Sequence, residues 1–132
     1  MKILLSLLMT TLVVTMNGQT KSNKDIVTEI NRELGGDSWS IKGDNVSVDN
    51  GSFSAGRGFW GLSKVTYELK YEFWSLQGEG QNTYVLYVKC RGGSDCIEDP
   101  LNDGVGYKEL RLPLHEDEKR SYRVLNLVKS IR

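Results

Sequence analysis

Histidine, cysteine and proline are scarce in this chain of 132 residues, which holds one, two and two of them. Two cysteines and one distant histidine, His115, fall short of the four soft ligands of a structural zinc knuckle. Two prolines make no Pro-rich linker, and neither an internal repeat nor a low-complexity tract divides the chain, so a single domain is expected. Neither sign of charge is in excess, with 17 basic and 17 acidic residues, and the longest basic run is the pair Lys119-Arg120. Such a chain exerts no long-range pull on nucleic acid or on an anionic membrane. Past the first residues, no apolar run approaches the length that spans a bilayer.

The one long apolar run is Ile3 to Val14, behind Lys2 and ahead of the polar Met16-Asn17-Gly18-Gln19. Charged, apolar, polar is the order of a secretory signal peptide. The run is shorter than the roughly 20 residues of a permanent transmembrane helix. The expectation is therefore a signal peptide over residues 1–18 and one domain over 19–132, secreted or periplasmic and without stable membrane insertion. A buried helix or an uncleaved anchor is the alternative reading.

Export bears on "KCRGGSDCIED", Lys89 to Asp99, which holds both cysteines. A redox pair needs C-x-x-C opening a helix, and a nucleophilic cysteine needs a histidine base. Cys90 and Cys96 stand further apart than that, around Gly92-Gly93, and follow a strand pattern. Outside the cytoplasm an even cysteine count suggests pairing, so a Cys90–Cys96 disulfide stapling a loop is expected.

Hydrophobic periodicity places the elements. From Ser22 to Gly36, Ile26, Val27, Ile30 and Leu34 fall at helical spacing, with a capping serine ahead and glycines behind. The period then drops to two. Trp39 and Ile41, then Val46 and Val48, flank Gly43-Asp44 as a hairpin would, and Asn50-Gly51 marks another turn. "VTYELKYEF" alternates Val65, Tyr67, Leu69, Tyr71 and Phe73 against Thr66, Glu68, Lys70 and Glu72. "TYVLYVKC" is apolar on both faces. "YKELRLPL" alternates again, and Pro113 suits a sheet edge or strand end. The last residues carry Val124, Leu125, Leu127, Val128 and Ile131, with acids first and bases last, as the helix dipole favours.

The expected fold is α+β: an N-terminal helix, five to six antiparallel strands in a curved sheet or partly open barrel, and a C-terminal helix packed on the sheet. A helix closing a strand meander resembles the element order of pleckstrin-homology-like barrels; the resemblance lies in the order of elements alone.

Three motifs invite a chemical reading. "GRGFWG", Gly56 to Gly61, matches G-x-G-x-x-G, but here the glycines precede a strand instead of following one and opening a helix, so nucleotide binding is not expected. "DPLNDG", Asp99 to Gly104, opens like a calcium loop, yet Leu101 and Leu110 occupy positions where carboxylates belong. Asp95, Glu98, Asp99 and Asp103 remain weak calcium candidates. His115 lacks a nucleophile beside it, which leaves a helix-cap or surface role. Asn45 and Asn50 begin glycosylation sequons whose use depends on the host.

No cofactor follows from these residues. The leading expectation is a non-catalytic binding module whose protein or small-ligand partner meets Arg57, Phe59 and Trp60 in a glycine-rich loop, since aromatics and arginine dominate contact sites. The competing reading makes Phe59 and Trp60 a plug for one end of the sheet. The rival functions are a small exported enzyme using Glu68 and Glu72, and a structural subunit that joins a neighbour through a sheet edge.

Overall fold

A computed structural model describes residues 21–49, 57–76, 78–99, 101 and 104–132. The expected signal peptide lies outside these residues, as do Asn50, Gly56 and Asp103.

Helix α1 (Asn23–Leu34) starts where the Ser22 side chain accepts a hydrogen bond from the Asp25 amide and stops at Gly35, whose φ of 71° suits a residue without Cβ. Its apolar stripe buries Ile26, Val27 and Ile30. Near its end the Asn31 side chain donates to the Trp39 carbonyl and accepts from the Trp39 amide, both at 2.9 Å, which fixes the entry into the sheet.

Strands β1 (Trp39–Lys42) and β2 (Asn45–Asp49) form the expected hairpin, with Trp39 opposite Val48 and Ile41 opposite Val46. Strand β3 (Arg57–Gly61) pairs with β2, then a single 3-10 turn over Leu62–Lys64 leads into β4 (Val65–Leu76). Strand β5 (Glu79–Cys90) returns along the whole of β4. Two-residue strands β6 (Ile97–Glu98) and β7 (Gly106–Tyr107) extend the first sheet, β8 (Glu109–Pro113) completes the second, and α2 (Glu118–Ser130) follows an Asp117 cap. All pairings are antiparallel, in the orders β1-β2-β3-β6-β7 and β4-β5-β8.

The α+β class and the packing of a helix from each end of the described chain on antiparallel strands match the expectation. The strands described, however, number eight in two unclosed sheets. The difference has two sources. β6 and β7 are too short to show a period, and Gly56 to Gly61, which reads as a loop from its glycines, is mostly strand β3 in the middle of the larger sheet.

The core lies between the sheets and under the helices. It gathers Trp39, Val46, Val48, Trp60 and Ile97 from one sheet and Val65, Leu86, Val88, Leu110 and Leu112 from the other. The helices add Ile26, Ile30, Val124 and Val128. Gly58 explains how β3 fits there: a Cβ on it would stand 2.9 Å from both Ile97 Cγ2 and Leu110 Cδ2. Trp60 is 1% exposed, edge-on to Trp39 at 6.1 Å, with its indole N–H donating to the Tyr67 hydroxyl at 2.9 Å. α1 and α2 pack on each other, and the Asn23 amide exchanges hydrogen bonds with the backbone of Arg132.

Trp60 is thus buried, as the plug reading expects, whereas Phe59 is only half-buried. Trp60→Ala is expected to lower the unfolding free energy by about 3–5 kcal/mol, and Gly58→Ala by about 1–3 kcal/mol through overpacking. Equilibrium denaturation in urea measures both.

Candidate interaction surface

Among the sequence candidates, Arg57, Phe59 and Trp60 do not form one surface. On a strand, neighbours point to opposite faces, so Phe59 turns away from the buried Trp60 and stands half-buried opposite Ser47 and Glu98. Arg57 is engaged elsewhere: its guanidinium donates to both Asp99 oxygens, at 2.8 and 3.3 Å. Asp99 is buried and also accepts from the Leu101 amide and the Tyr107 hydroxyl. The Arg57 hydrogen bond first, then the Leu101 amide, holds the Asp99 carboxyl below its ordinary pKa. The same hydrogen bond raises Arg57, while burial and then Asp99 raise the Tyr107 phenol.

A carboxylate so occupied is a poor calcium donor. Asp95 and Glu98 are exposed, and among the described residues no group of three or more His, Cys, Asp or Glu side chains is placed to hold a metal ion. Cys90 and Cys96 are bonded at 2.00 Å, as the spacing suggested. His115 accepts from the Asp117 amide through its ring, and its carbonyl accepts from the Ser121 hydroxyl, so it shapes the entry to α2.

The carboxylates considered for catalysis lie on the outer face of the three-stranded sheet. Glu68 accepts from Lys89 at 3.0 Å, which with the nearby Lys70 lowers its pKa, the opposite of what a general acid needs. Glu72 takes the Tyr87 hydroxyl on both oxygens, at 2.6 and 2.7 Å. Lys70, Arg111 and Lys89 stand over the Tyr87 ring at 4.5, 5.0 and 5.6 Å. Tyr87 is buried beneath them, and its phenol is raised first by the Glu72 hydrogen bond. Within the sheet both carboxylates considered for catalysis already have a partner.

The inner face of the same sheet changes character along its length. Val65 is sealed, Tyr67 and Leu69 are half-buried, and then Tyr71 is 57% and Phe73 65% exposed. Here the β4–β5 hairpin presents aromatic rings to solvent. They are held rather than loose. Tyr71 leans on Tyr84 with centroids 4.8 Å apart, and Tyr84 meets Tyr122 of α2 at 6.1 Å. Phe73 lies across Gly80, where a Cβ would fall 2.3 Å from its ring. The hairpin turn itself uses Gly78 at φ 82°. The alternation from Val65 to Phe73 alone assigns Tyr71 and Phe73 to the buried face. The signal it missed is that a 12-residue strand, about 40 Å long at roughly 3.3 Å per residue, outruns the helix that covers it.

No family model, no curated protein and no solved structure matches this chain.

Two outcomes follow. The Asp99 contribution is complete above the carboxyl's unfolded pKa and fades as the pH falls through its lowered folded value. The stability gap between wild type and Asp99→Asn should therefore be constant above about pH 5 and narrow below about pH 4, as thermal melts across that range can test. Reduction of the Cys90–Cys96 bond opens a short loop only, and should cost about 2 kcal/mol without unfolding the protein; urea denaturation with and without reductant measures the difference.

Proposed function

We propose that this protein is a small exported, non-catalytic interaction module that presents the β4–β5 hairpin to its partner. The observation that carries the reading is the pair of large, braced and exposed rings, Tyr71 and Phe73, on one hairpin. Exposed apolar side chains standing singly need no explanation, but clustered aromatics mark contact surfaces. Rings already immobilised lose little entropy on binding. The alternative enzyme reading is weakened by the pairing of Glu68 with Lys89 and of Glu72 with Tyr87.

Export rests on the Lys2 and Ile3–Val14 pattern and is compatible with the bonded cysteine pair. No helix among the described residues is long and apolar enough to cross a membrane. Amino-terminal sequencing of chain recovered from an expressing cell should read from about Gln19; retention of Met1 would remove the export half of the proposal.

The binding half is tested with a displayed library of extended peptides. Selected peptides should shift the backbone resonances of β4 and β5, and Tyr71→Ser with Phe73→Ser should abolish binding while the melting temperature barely moves. Peptides that map to another face, or none selected by the chain at a concentration where it is monomeric, would count against the hairpin as the binding surface.

A further inference from the structure

The hairpin has a second property, carried by its backbone. In an antiparallel ladder each residue turns its N–H and C=O to the same side, and successive residues alternate. The Tyr84 amide bonds to the His115 carbonyl, the Leu114 amide to the Tyr84 carbonyl, and the Cys90 amide to the Lys108 carbonyl, so the even-numbered residues of β5 face β8. The odd-numbered residues of β5 therefore face β4, and their partners in register are Glu68, Lys70, Glu72 and Trp74. Tyr67, Leu69, Tyr71 and Phe73 are left with their amides and carbonyls pointing out of the sheet, because β4 is its edge among the described strands.

Proteins usually blunt such edges. The other edges among the described strands are short, with four residues in β1, two in β7, and five in β8 ending at Pro113. β4 has twelve residues and no proline.

We infer that the partner of this edge is a second copy of the same chain, joined antiparallel through β4 about a two-fold axis at Tyr71. This rests on the reading of the hairpin as an interaction surface and names its occupant. The charge pattern excludes an axis at Lys70, and the exposed rings favour Tyr71 over Leu69, whose axis would also pair Glu68 with Lys70 but would set the exposed Phe73 opposite the buried Val65. Centred on Tyr71, the outer face places Lys70 opposite Glu72 of the second copy, and Glu72 opposite its Lys70. The inner face places Tyr71 on Tyr71 and Leu69 on Phe73, covering the exposed rings. Centred one residue earlier, the axis would set Lys70 against Lys70 and Glu68 against Glu72, all like charges. Tyr71 is also a residue whose backbone groups point outward, so the central pair can exchange two hydrogen bonds. The product is a continuous six-stranded sheet, three strands from each copy.

Sedimentation of the chain as recovered from an expressing cell tests this. The wild type should form dimers, with slowed exchange at the Leu69, Tyr71 and Phe73 amides. Lys70→Glu sets a new carboxylate against Glu72 twice and should weaken the dimer about tenfold. Glu72→Lys should do the same by setting lysines face to face. An equimolar mixture of the two variants should pair again. Tyr71→Pro guards against misfolding by the charge variants: it removes an outward donor, leaves the ladder to β5 intact, and should give a folded monomer. A wild type monomeric at about 1 mM, or a dimer whose β4 amides exchange freely, overturns the inference. If that monomer still takes peptides at the hairpin, the proposed function stands and only the second copy fails.

Discussion

The indole of Trp60 is the contact on which the architecture depends. It sits where the two sheets meet, edge-on to Trp39 within its own sheet and hydrogen-bonded to Tyr67 of the other. A buried indole N–H without an acceptor would cost about 1–3 kcal/mol, so the position of β4 relative to β3 is fixed by one polar atom as well as by packing. Gly58, two residues before, lets the same strand approach Leu110. On the inner face of β3 a small residue, Gly58, is followed by a large one, Trp60, and both meet the other sheet.

Burial and exposure on this molecule are thus consequences of length mismatch. The β4–β5 ribbon is long, the strands of the opposing sheet are of five residues or fewer, and α2 spans thirteen. Whatever part of the ribbon lies beyond the helix has no cover within the described residues. Its inner face is nonetheless aromatic, not polar. The charged outer face is self-satisfied around Tyr87. An uncovered apolar inside and a charged outside thus meet on one edge strand of the described sheet, β4.

Much of the local structure was legible in the sequence. Ser22 and Gly35 delimit the first helix, Gly43 turns the first hairpin, and the alternation from Val65 marks a strand, because each signal is local. β3 was not legible. Its glycines suggest a loop, and only the approach of Leu110 and Ile97, from residues far along the chain, gives Gly58 its reason. Arg57 likewise looked available for a ligand, but Asp99 claims it across 42 positions of sequence. Tyr71 and Phe73 carried the opposite error: periodicity assigns a face, and cannot say where the opposing element stops.

The two hydrogen bonds between Asn23 and Arg132 span 109 positions, and α2 with the residue that follows it supplies Val124, Val128 and Ile131 to the core that α1 also needs. The centre of the protein therefore cannot close until nearly all of the described chain is present. A growing chain would hold α1 and the first strands without their cover until α2 emerges from the ribosome. Such distant contacts are rewarded only after the chain between them has been ordered. Late closure leaves the first strands without their cover for as long as synthesis lasts.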